Sequence, residues 1–317
     1  MAVKLEEYKG GKTRHTCPSC GHRREFTRYV IVETGEYVAD HVGRCNRYNK
    51  CGYHYTPKQY FADNPNCTPP PFDYTKIVIA EDNRPVTFIP QEHLIKSMEL
   101  AYRFNNLYWW LETTFGKQAA EEAYLKYMIG TSSNTWPGAT QYWQIDINHN
   151  IRQCKMIQYH PLTGKRDRGL EVRFLGKKLL GDYDARLEQC FFGEHLLSEH
   201  PEQTIALVEG EKTAVICSIA YPDMTWIAAG GVRGCKWTSR PETVCKPFEN
   251  RNVVLFPDLG FNDEWKQFAE KVGKHINCHI VVSEDLEAIA TDEDREEGLD
   301  IADFITRNVK TGDQTPF

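Results

Sequence analysis

From residue 204 onward, short apolar runs alternate with helical patterns along the chain. Four runs have the aliphatic character of buried strands, at residues 204–208, 225–229, 253–256 and 279–282. Between them, apolar positions recur with the period of a helix at 212–220 and 264–276. Repeated switching between these two periods is typical of βαβ units, in which helices cover both faces of a parallel sheet. The pattern therefore predicts an α/β domain over residues 201–317.

The N-terminal pattern predicts a small β unit. Strand-forming residues at 26–32 and 36–38 flank a turn at Thr34-Gly35. A segment this short buries little apolar surface, so we expect a metal to stabilise it. The proline-rich run at 68–71 then indicates a linker, because proline fixes φ and removes a hydrogen-bond donor.

The middle of the chain combines helical and strand patterns. Apolar positions are helical in period at 90–128, and strand-like alternation follows at 140–174. We therefore expect three segments along the chain. They are a ribbon at 1–66, a linker with a helical segment and a β insert at 67–200, and the α/β domain at 201–317.

Composition places the chain among globular proteins, with an uneven distribution of charge. Of its 317 residues, 41% are hydrophobic and 26% charged, which excludes a wholly disordered or collagen-like chain. No apolar run reaches the roughly 18 residues that span a bilayer, so we expect a cytoplasmic protein without membrane contact. The net charge is −6, yet residues 1–60 hold eleven Lys and Arg against six acids, whereas 284–303 hold ten acids against one Arg. The basic part is the one suited to phosphate.

Four of the eleven cysteines are grouped near the N-terminus, as Cys17, Cys20, Cys45 and Cys51. An odd total excludes complete disulfide pairing, and close thiolate pairs can surround a zinc ion in a tetrahedron. The sequence therefore predicts a structural zinc site. Because Cys45 and Cys51 are more widely spaced than the usual pair, His54 remains an alternative ligand.

Three acidic residues lie at or after the predicted ends of strands. Glu209 follows the first strand of the α/β domain, Asp258 follows the third, and Asp300 comes after the fourth. Groups at the carboxyl ends of parallel strands converge on one edge, and carboxylates gathered there suit Mg²⁺ or Mn²⁺. The alternatives are that Asp300 caps a helix at 301–307 and that Asp258 merely ends a strand.

The motifs around these residues resemble the Toprim domain of primases. They are Val208-Glu209-Gly210-Glu211-Lys212-Thr213-Ala214, Val253-Val254-Leu255-Phe256-Pro257-Asp258 and Gly298-Leu299-Asp300-Ile301-Ala302-Asp303-Phe304. The N-terminal cysteines resemble the zinc ribbon of bacterial and phage primases, and the order of segments is similar to that of primase-like proteins of mobile elements.

The resemblance implies a role for each of these residues. It implies that Glu209 acts as an acid or base near the reacting phosphate, and that Asp258 and Asp300 hold the catalytic metal. It further suggests Lys212 and Asp303 as cofactor-binding residues. The chain departs from the family where Gly260 replaces the second aspartate of an Asp-x-Asp motif, so one metal ligand is missing or is supplied by Asp263 or Asp300.

These features favour a primase-like protein of DNA replication. It would bind single-stranded DNA through its ribbon and through a second basic cluster at 165–178, and transfer nucleotides from nucleoside triphosphates at a magnesium site. A Toprim nuclease, and a non-catalytic DNA-binding module like a recombination mediator, remain open alternatives. The sequence shows no Walker-type loop, so we expect any helicase to be a separate partner.

Overall fold

The computed structural model describes residues 3–8, 10–32, 34–64, 82, 84–99, 104–231 and 234–312. Two compact units are present, Met1–Asn83 and Arg84–Phe317. The linker predicted at 68–71 lies outside the described residues. Among the described helices, none combines the length and the apolar character needed to cross a bilayer.

The first unit is an antiparallel sheet with two short helices. Its elements are β1 (Val3–Leu5), β2 (Phe26–Ile31), β3 (Gly43–Cys45), α1 (Tyr48–Cys51), β4 (His54–Tyr55) and α2 (Pro57–Asp63). The four strands follow one another in sheet order. The strand predicted at 36–38 is reduced to one bridge, between Tyr37 and Val30. A turn precedes it, closed by the Gly35 N–H donating to the Ile31 carbonyl at 2.8 Å, so little length is left for pairing.

The second unit begins with three helices and a second antiparallel sheet. The elements are α3 (Gln91–Glu99), α4 (Asn106–Phe115), α5 (Lys117–Lys126), β5 (Gly130–Thr131), β6 (Thr140–Ile145), β7 (Ile151–Ile157), β8 (Arg173–Phe174), α6 (Gly176–Leu180) and α7 (Leu196–Glu199). The four strands again pair in sequence order. Asn105 starts α4, where its side-chain oxygen accepts hydrogen bonds from the Leu107 and Tyr108 amides.

A parallel sheet completes the second unit. Its elements are β9 (Ile205–Val208), α8 (Glu211–Ala220), β10 (Thr225–Ala228), α9 (Pro241–Val244), β11 (Asn252–Leu255), α10 (Asn262–Gly273), β12 (His279–Val282), α11 (Asp285–Ile289), α12 (Asp292–Glu297) and α13 (Ile301–Thr311). The strand order is β10-β9-β11-β12 and every pair is parallel. The predicted parallel sheet is therefore confirmed.

Alternate residues of β9 belong to two different hydrophobic clusters. Ala206 and Val208 pack with α8 and α13, whereas Ile205 and Leu207 pack with α10. Helices thus cover both faces of the sheet, as the strand and helix periods predict.

The first of these clusters also contains residues from outside the parallel sheet. Leu107 and Tyr124, from α4 and α5, pack in it together with Tyr142 of β6. Segments on either side of residue 200 therefore share one core, and a domain boundary there remains a prediction.

Phe192 also pairs with Ala228 of the edge strand β10, through two backbone hydrogen bonds of 2.9 Å.

Candidate zinc centre and carboxylate site

The first cysteine pair lies in a tight turn that precedes β2. The Gly21 amide donates to the Cys17 carbonyl at 3.0 Å, and the Cys17 amide donates to the His22 carbonyl at 3.0 Å. Gly21 has φ +70°, a conformation that glycine adopts without steric cost. The turn therefore brings the sulfur atoms of Cys17 and Cys20 to the same side.

The second pair brackets the helix α1. Cys45 ends β3, and its amide donates to the Tyr53 carbonyl at 2.9 Å. Cys51 ends α1, and Gly52 then reverses the chain with φ +70°. The wider spacing of this pair thus accommodates one helical turn.

The four sulfur atoms form a tetrahedral donor set. The Cys17 and Cys51 sulfurs lie 3.8 Å apart, those of Cys20 and Cys45 lie 4.0 Å apart, and all four are within 4.8 Å of one another. Zinc–sulfur bonds of about 2.3 Å in a tetrahedron place sulfur atoms about 3.8 Å apart, which agrees with this geometry. The residues therefore fit a structural zinc ion.

His54 lies outside this group of four. Its Nε2 is 2.9 Å from the hydroxyl of Tyr29, and the two rings stack.

Among the thiols, the backbone N–H of Tyr53 lowers the pKa of Cys51 to about 7, whereas burial raises the pKa of Cys45 to about 12. Thiolates are the zinc-binding form, so Cys51 loses its proton more readily than Cys45.

Two of the predicted acidic residues follow adjacent strands of the parallel sheet. Leu255 of β11 pairs with Leu207 of β9, so Glu209 and Asp258 emerge at the same edge. The third, Asp300, is brought to this edge by its neighbour, because the Leu259 amide donates to the Leu299 carbonyl at 3.0 Å. The topology thus gathers the three residues as the sequence predicts.

Electrostatics show that these carboxylates act on one another. Burial, followed by the charges of Asp300, Glu209 and Asp303, raises the pKa of Asp258 to about 8. Like charges disfavour ionisation of a half-buried carboxyl, and a divalent cation would remove that penalty. Among groups of three or more His, Cys, Asp or Glu in the described residues, however, only the four cysteines bring their ligand atoms within 4.8 Å of one another. The carboxylates are more widely spaced than the cysteine sulfurs, and their oxygen atoms are the kind of ligand that Mg²⁺ prefers.

Asp300 uses both of its carboxylate oxygens. Oδ1 accepts a hydrogen bond of 2.9 Å from the Asp303 amide, and Oδ2 accepts one of 2.5 Å from the hydroxyl of Thr213. Asp303 in turn accepts from the Asp300 amide at 3.2 Å, which completes a capping box at the start of α13. The helix-cap alternative for Asp300 is therefore correct, and the same side chain still faces the carboxylate group.

Lys212 adds a positive charge beside Asp300. Its charge lowers the pKa of Asp300, although burial and Asp303 raise it more. Its ammonium lies 3.4 Å from the Gly164 carbonyl and 5.5 Å from the centre of the Trp110 ring. Gly164 packs so closely on Trp110 that a Cβ there would lie 2.3 Å from the ring. The β insert thus helps to hold Lys212.

Sequence reasoning missed a buried ion pair next to Glu209. Lys155 of β7 is 8% exposed and Glu211 is 2% exposed, and the ammonium lies 2.8 Å from Oε1 of that carboxylate. The available signal was a lysine between the apolar residues Cys154 and Met156 of a predicted strand. Such a lysine needs a buried partner, because an isolated buried charge is costly.

Gly260 stands where the resembling family has a second aspartate. It has φ +85°, and its amide donates to Oε1 of Glu287 at 2.9 Å. Glu287 is in turn paired with Arg295 at 3.1 Å. The carboxylate that accepts a hydrogen bond from this amide is therefore already paired with an arginine.

Exposed basic residues mark a surface in each unit. In the first they include Arg23, Arg24, Arg44 and Lys50, which form no ion pair among the described residues, whereas Arg28 is paired with Asp40. In the second, six exposed residues carry the charge: Lys165, Arg166, Arg168, Arg173, Lys177 and Lys178. Arg173 also stacks on Trp136 at 4.3 Å. Both surfaces are open to an anionic partner.

Two families match parts of the chain. Residues 1–66 match a zinc beta-ribbon finger family, and residues 105–259 match a domain of unknown function, DUF6371. Together with the tetrahedral cysteines, the first match supports a zinc ribbon with a structural zinc ion. None of the curated proteins matches the sequence.

Solved structures that are similar to the chain include primase domains. One is the primase fragment of the bacteriophage T7 primase-helicase protein, 12% identical, covering 90% of this chain and 98% of that one, with a TM-score of 0.37. Another is the RNA polymerase domain of Mycobacterium tuberculosis primase DnaG, 11% identical, covering 70% and 82%, with a TM-score of 0.36. A third is the Aquifex aeolicus primase, 12% identical, covering 71% and 50%, with a TM-score of 0.33.

Proposed function

We propose that the chain is a primase-like enzyme that binds single-stranded DNA and joins nucleotides at a Toprim magnesium site. The observation that carries this proposal is the convergence of Glu209, Asp258 and Asp300 at the carboxyl edge of the parallel sheet, where burial, followed by the charges of Asp300 and Glu209, raises the pKa of Asp258. The three motifs that contain these residues are those that resemble the Toprim domain of primases.

The residues of the site supply metal binding, proton transfer and phosphate binding in this proposal. Asp258 and Asp300, with Glu209, would hold Mg²⁺ or Mn²⁺, which supplies neutralisation of the negative charge on a triphosphate. Glu209 accepts the proton of the 3′ hydroxyl that attacks the α-phosphate, while pyrophosphate leaves. Lys212 is half-buried beside Asp300 and contacts the incoming phosphates.

Single-stranded DNA is the proposed template because several exposed basic residues, among them Arg23, Arg44 and Lys50, form no ion pair within the described residues. In the first unit, Arg44 and Lys50 are exposed on either side of Cys45. Phosphate contacts by such residues are independent of sequence, and neighbouring aromatic rings stack on bases. Nucleoside triphosphates are the proposed second substrate, and a helicase the proposed separate partner.

The test incubates the full chain with single-stranded templates, labelled nucleotides and Mg²⁺ or Mn²⁺. Extended products support nucleotidyl transfer, and shortened DNA would identify a nuclease instead. Glu209→Gln should abolish synthesis and keep DNA affinity, because it removes the proton-accepting group and preserves shape. Glu270→Gln, on an exposed position of α10, is the matched control and should retain activity.

Gly260 favours a second candidate, a non-catalytic DNA-binding module. The chain lacks the second aspartate at this position, and the adjacent Glu287 is held by Arg295. In this case DNA is retarded in a gel but neither extended nor cut, and Glu209→Gln changes nothing. The same incubation therefore separates the two candidates.

A further inference from the structure

Lys155 joins the antiparallel sheet to the carboxyl edge of the parallel sheet. Its ammonium lies 2.8 Å from Oε1 of Glu211, and it donates hydrogen bonds of 2.9 Å to Oε2 of Glu211 and to the carbonyl of Gly230. The two charged side chains are 10% and 3% exposed. One ammonium thus contacts two separate segments of the parallel-sheet domain.

Both of these segments lie next to Glu209. Glu211 follows it by two residues, as the first residue of α8. The amides of Gly230 and Gly231 donate to the Glu209 carbonyl at 2.9 and 3.1 Å. Lys155 therefore holds the helix that leaves Glu209 and also the loop that hydrogen-bonds its backbone.

Gly230 leaves little free space in this arrangement. A Cβ at this position would lie 3.1 Å from Oε1 of Glu211 and 3.7 Å from the Lys155 ammonium, and its φ is +82°. Glycine is the residue that adopts this backbone conformation without strain. The close approach of the loop to the ion pair thus depends on both the glycine and the lysine.

We propose that Lys155 is the positioning residue for Glu209, acting through Glu211 and Gly230 rather than by touching substrate. The inference rests on the proposed function only for the role of Glu209 in metal binding and proton transfer. The β insert then contributes to the carboxylate site, because removing its lysine frees the start of α8 and the loop that hydrogen-bonds the Glu209 carbonyl.

Hydrogen exchange tests this placement without any activity. In Lys155→Met, the amides of Gly230 and Gly231 should exchange about tenfold faster, while those of β11 stay protected, because local opening needs less energy than unfolding of the sheet. Arg152→Met is the matched control, since Arg152 lies on the same strand and pairs at 2.6 Å with Asp146, which is 4% exposed. This control should leave the exchange of both glycines unchanged.

A double variant guards against misfolding of the single one. Lys155→Met alone leaves the buried Glu211 carboxylate without its cation, whereas Lys155→Met with Glu211→Gln leaves neither charge of this pair. The double variant should keep the sheet folded and still show faster exchange of Gly230 and Gly231. Unchanged exchange in both variants would overturn the inference, and so would unfolding of the whole sheet in both, which would make the pair a support of the fold.

Mn²⁺ binding, measured by electron paramagnetic resonance on the zinc-loaded chain, adds a second readout. The double variant should bind Mn²⁺ about tenfold more weakly than wild type, the usual effect of removing a group that orients a metal ligand. Equal affinity in wild type and variant would contradict positioning. If wild type itself binds no Mn²⁺ and makes no product, the proposed function fails, and the exchange experiment still decides the role of Lys155.

Discussion

The hydroxyl of Thr213 donates a 2.5 Å hydrogen bond to Oδ2 of Asp300, so the first turn of α8 is tied to the start of α13. The other oxygen of Asp300 caps its own helix. Both oxygens are fixed before any ligand arrives, which is the arrangement expected of a preorganised site. The same hydrogen bonds keep Asp300 close to Asp258, where its negative charge disfavours ionisation of the Asp258 carboxyl.

Replacing Asp258 by asparagine should stabilise the protein in the absence of divalent cations. The change removes a carboxyl whose ionisation is disfavoured by burial and then by the charges of Asp300, Glu209 and Asp303, and relief of that cost is worth about 1 kcal/mol, or roughly 2–4 °C in Tm for a domain of this size. Calorimetry in magnesium-free buffer measures it. The exposed Asp223→Asn should leave Tm unchanged, and a lower Tm for Asp258→Asn would contradict the repulsion.

Cys51→Ser should release zinc and unfold the first unit alone. The buried core around the four sulfurs consists of Cys17, Phe26 and Cys45, too little apolar surface to replace a metal. Elemental analysis should fall from one zinc per chain to none, and the calorimetric transition of residues 84–317 should persist. Cys278→Ser, in the second unit, should keep the zinc. Full zinc retention in Cys51→Ser would refute the four-sulfur site.

Replacing Arg44, Arg47 and Lys50 by alanine should weaken the salt dependence of single-strand binding. Each phosphate contact contributes about 0.7 to the slope of log affinity against log salt, so losing three lowers it by about 2. Fluorescence anisotropy across a salt series measures the slope. Lys271, Lys274 and Lys310 changed to alanine alter the net charge equally at exposed positions elsewhere. The same loss of slope in both variants would mean that net charge, not the ribbon, governs binding.

Glu194 should make stability depend on pH. It is 4% exposed and accepts hydrogen bonds from the Ile147 and Phe191 amides, and burial raises its pKa from 4.5 to about 7. Between these values the folded chain holds a proton that the unfolded chain has lost. The contribution of the Glu194 proton to the free energy of unfolding is therefore complete below about pH 4.5. It falls as the pH rises to about 7 and is constant above that.

The variant Glu194→Gln removes this titration. Denaturant unfolding at pH 5 and pH 8 should show a pH-dependent change that is smaller than in wild type by on the order of 2–3 kcal/mol. Glu270→Gln, an exposed substitution, should keep the wild-type dependence. An identical dependence in Glu194→Gln would show that another group is responsible.

Local patterns in the sequence were sufficient to predict the strands of the parallel sheet. The strand at 279–282 is predicted at its observed bounds, since its aliphatic run ends where Ser283 begins a turn. The helix predicted at 301–307 extends to Thr311, because Gly312, with φ +77°, closes it one turn later. Its apolar spacing alone does not mark that end.

The candidate site could be predicted only in part. Glu209 and Asp258 follow strands, so parallel topology alone brings them together. The contact of Lys155 with Glu211 joins residues 56 positions apart, and that of Thr213 with Asp300 joins residues 87 apart. Such pairs depend on how the two sheets and the helices pack, for which no local period exists.

The pairing of Phe192 with Ala228 also bears on how this protein can be divided for experiments. β10 is an edge strand, and Phe192 occupies part of its free side through two hydrogen bonds. A fragment beginning at residue 201 would keep all four parallel strands but would leave the N–H and C=O of Ala228 without the hydrogen bonds to Phe192. Unpaired edges recruit strands from other molecules, so such a fragment should self-associate and precipitate, whereas one beginning at residue 84 should remain monodisperse.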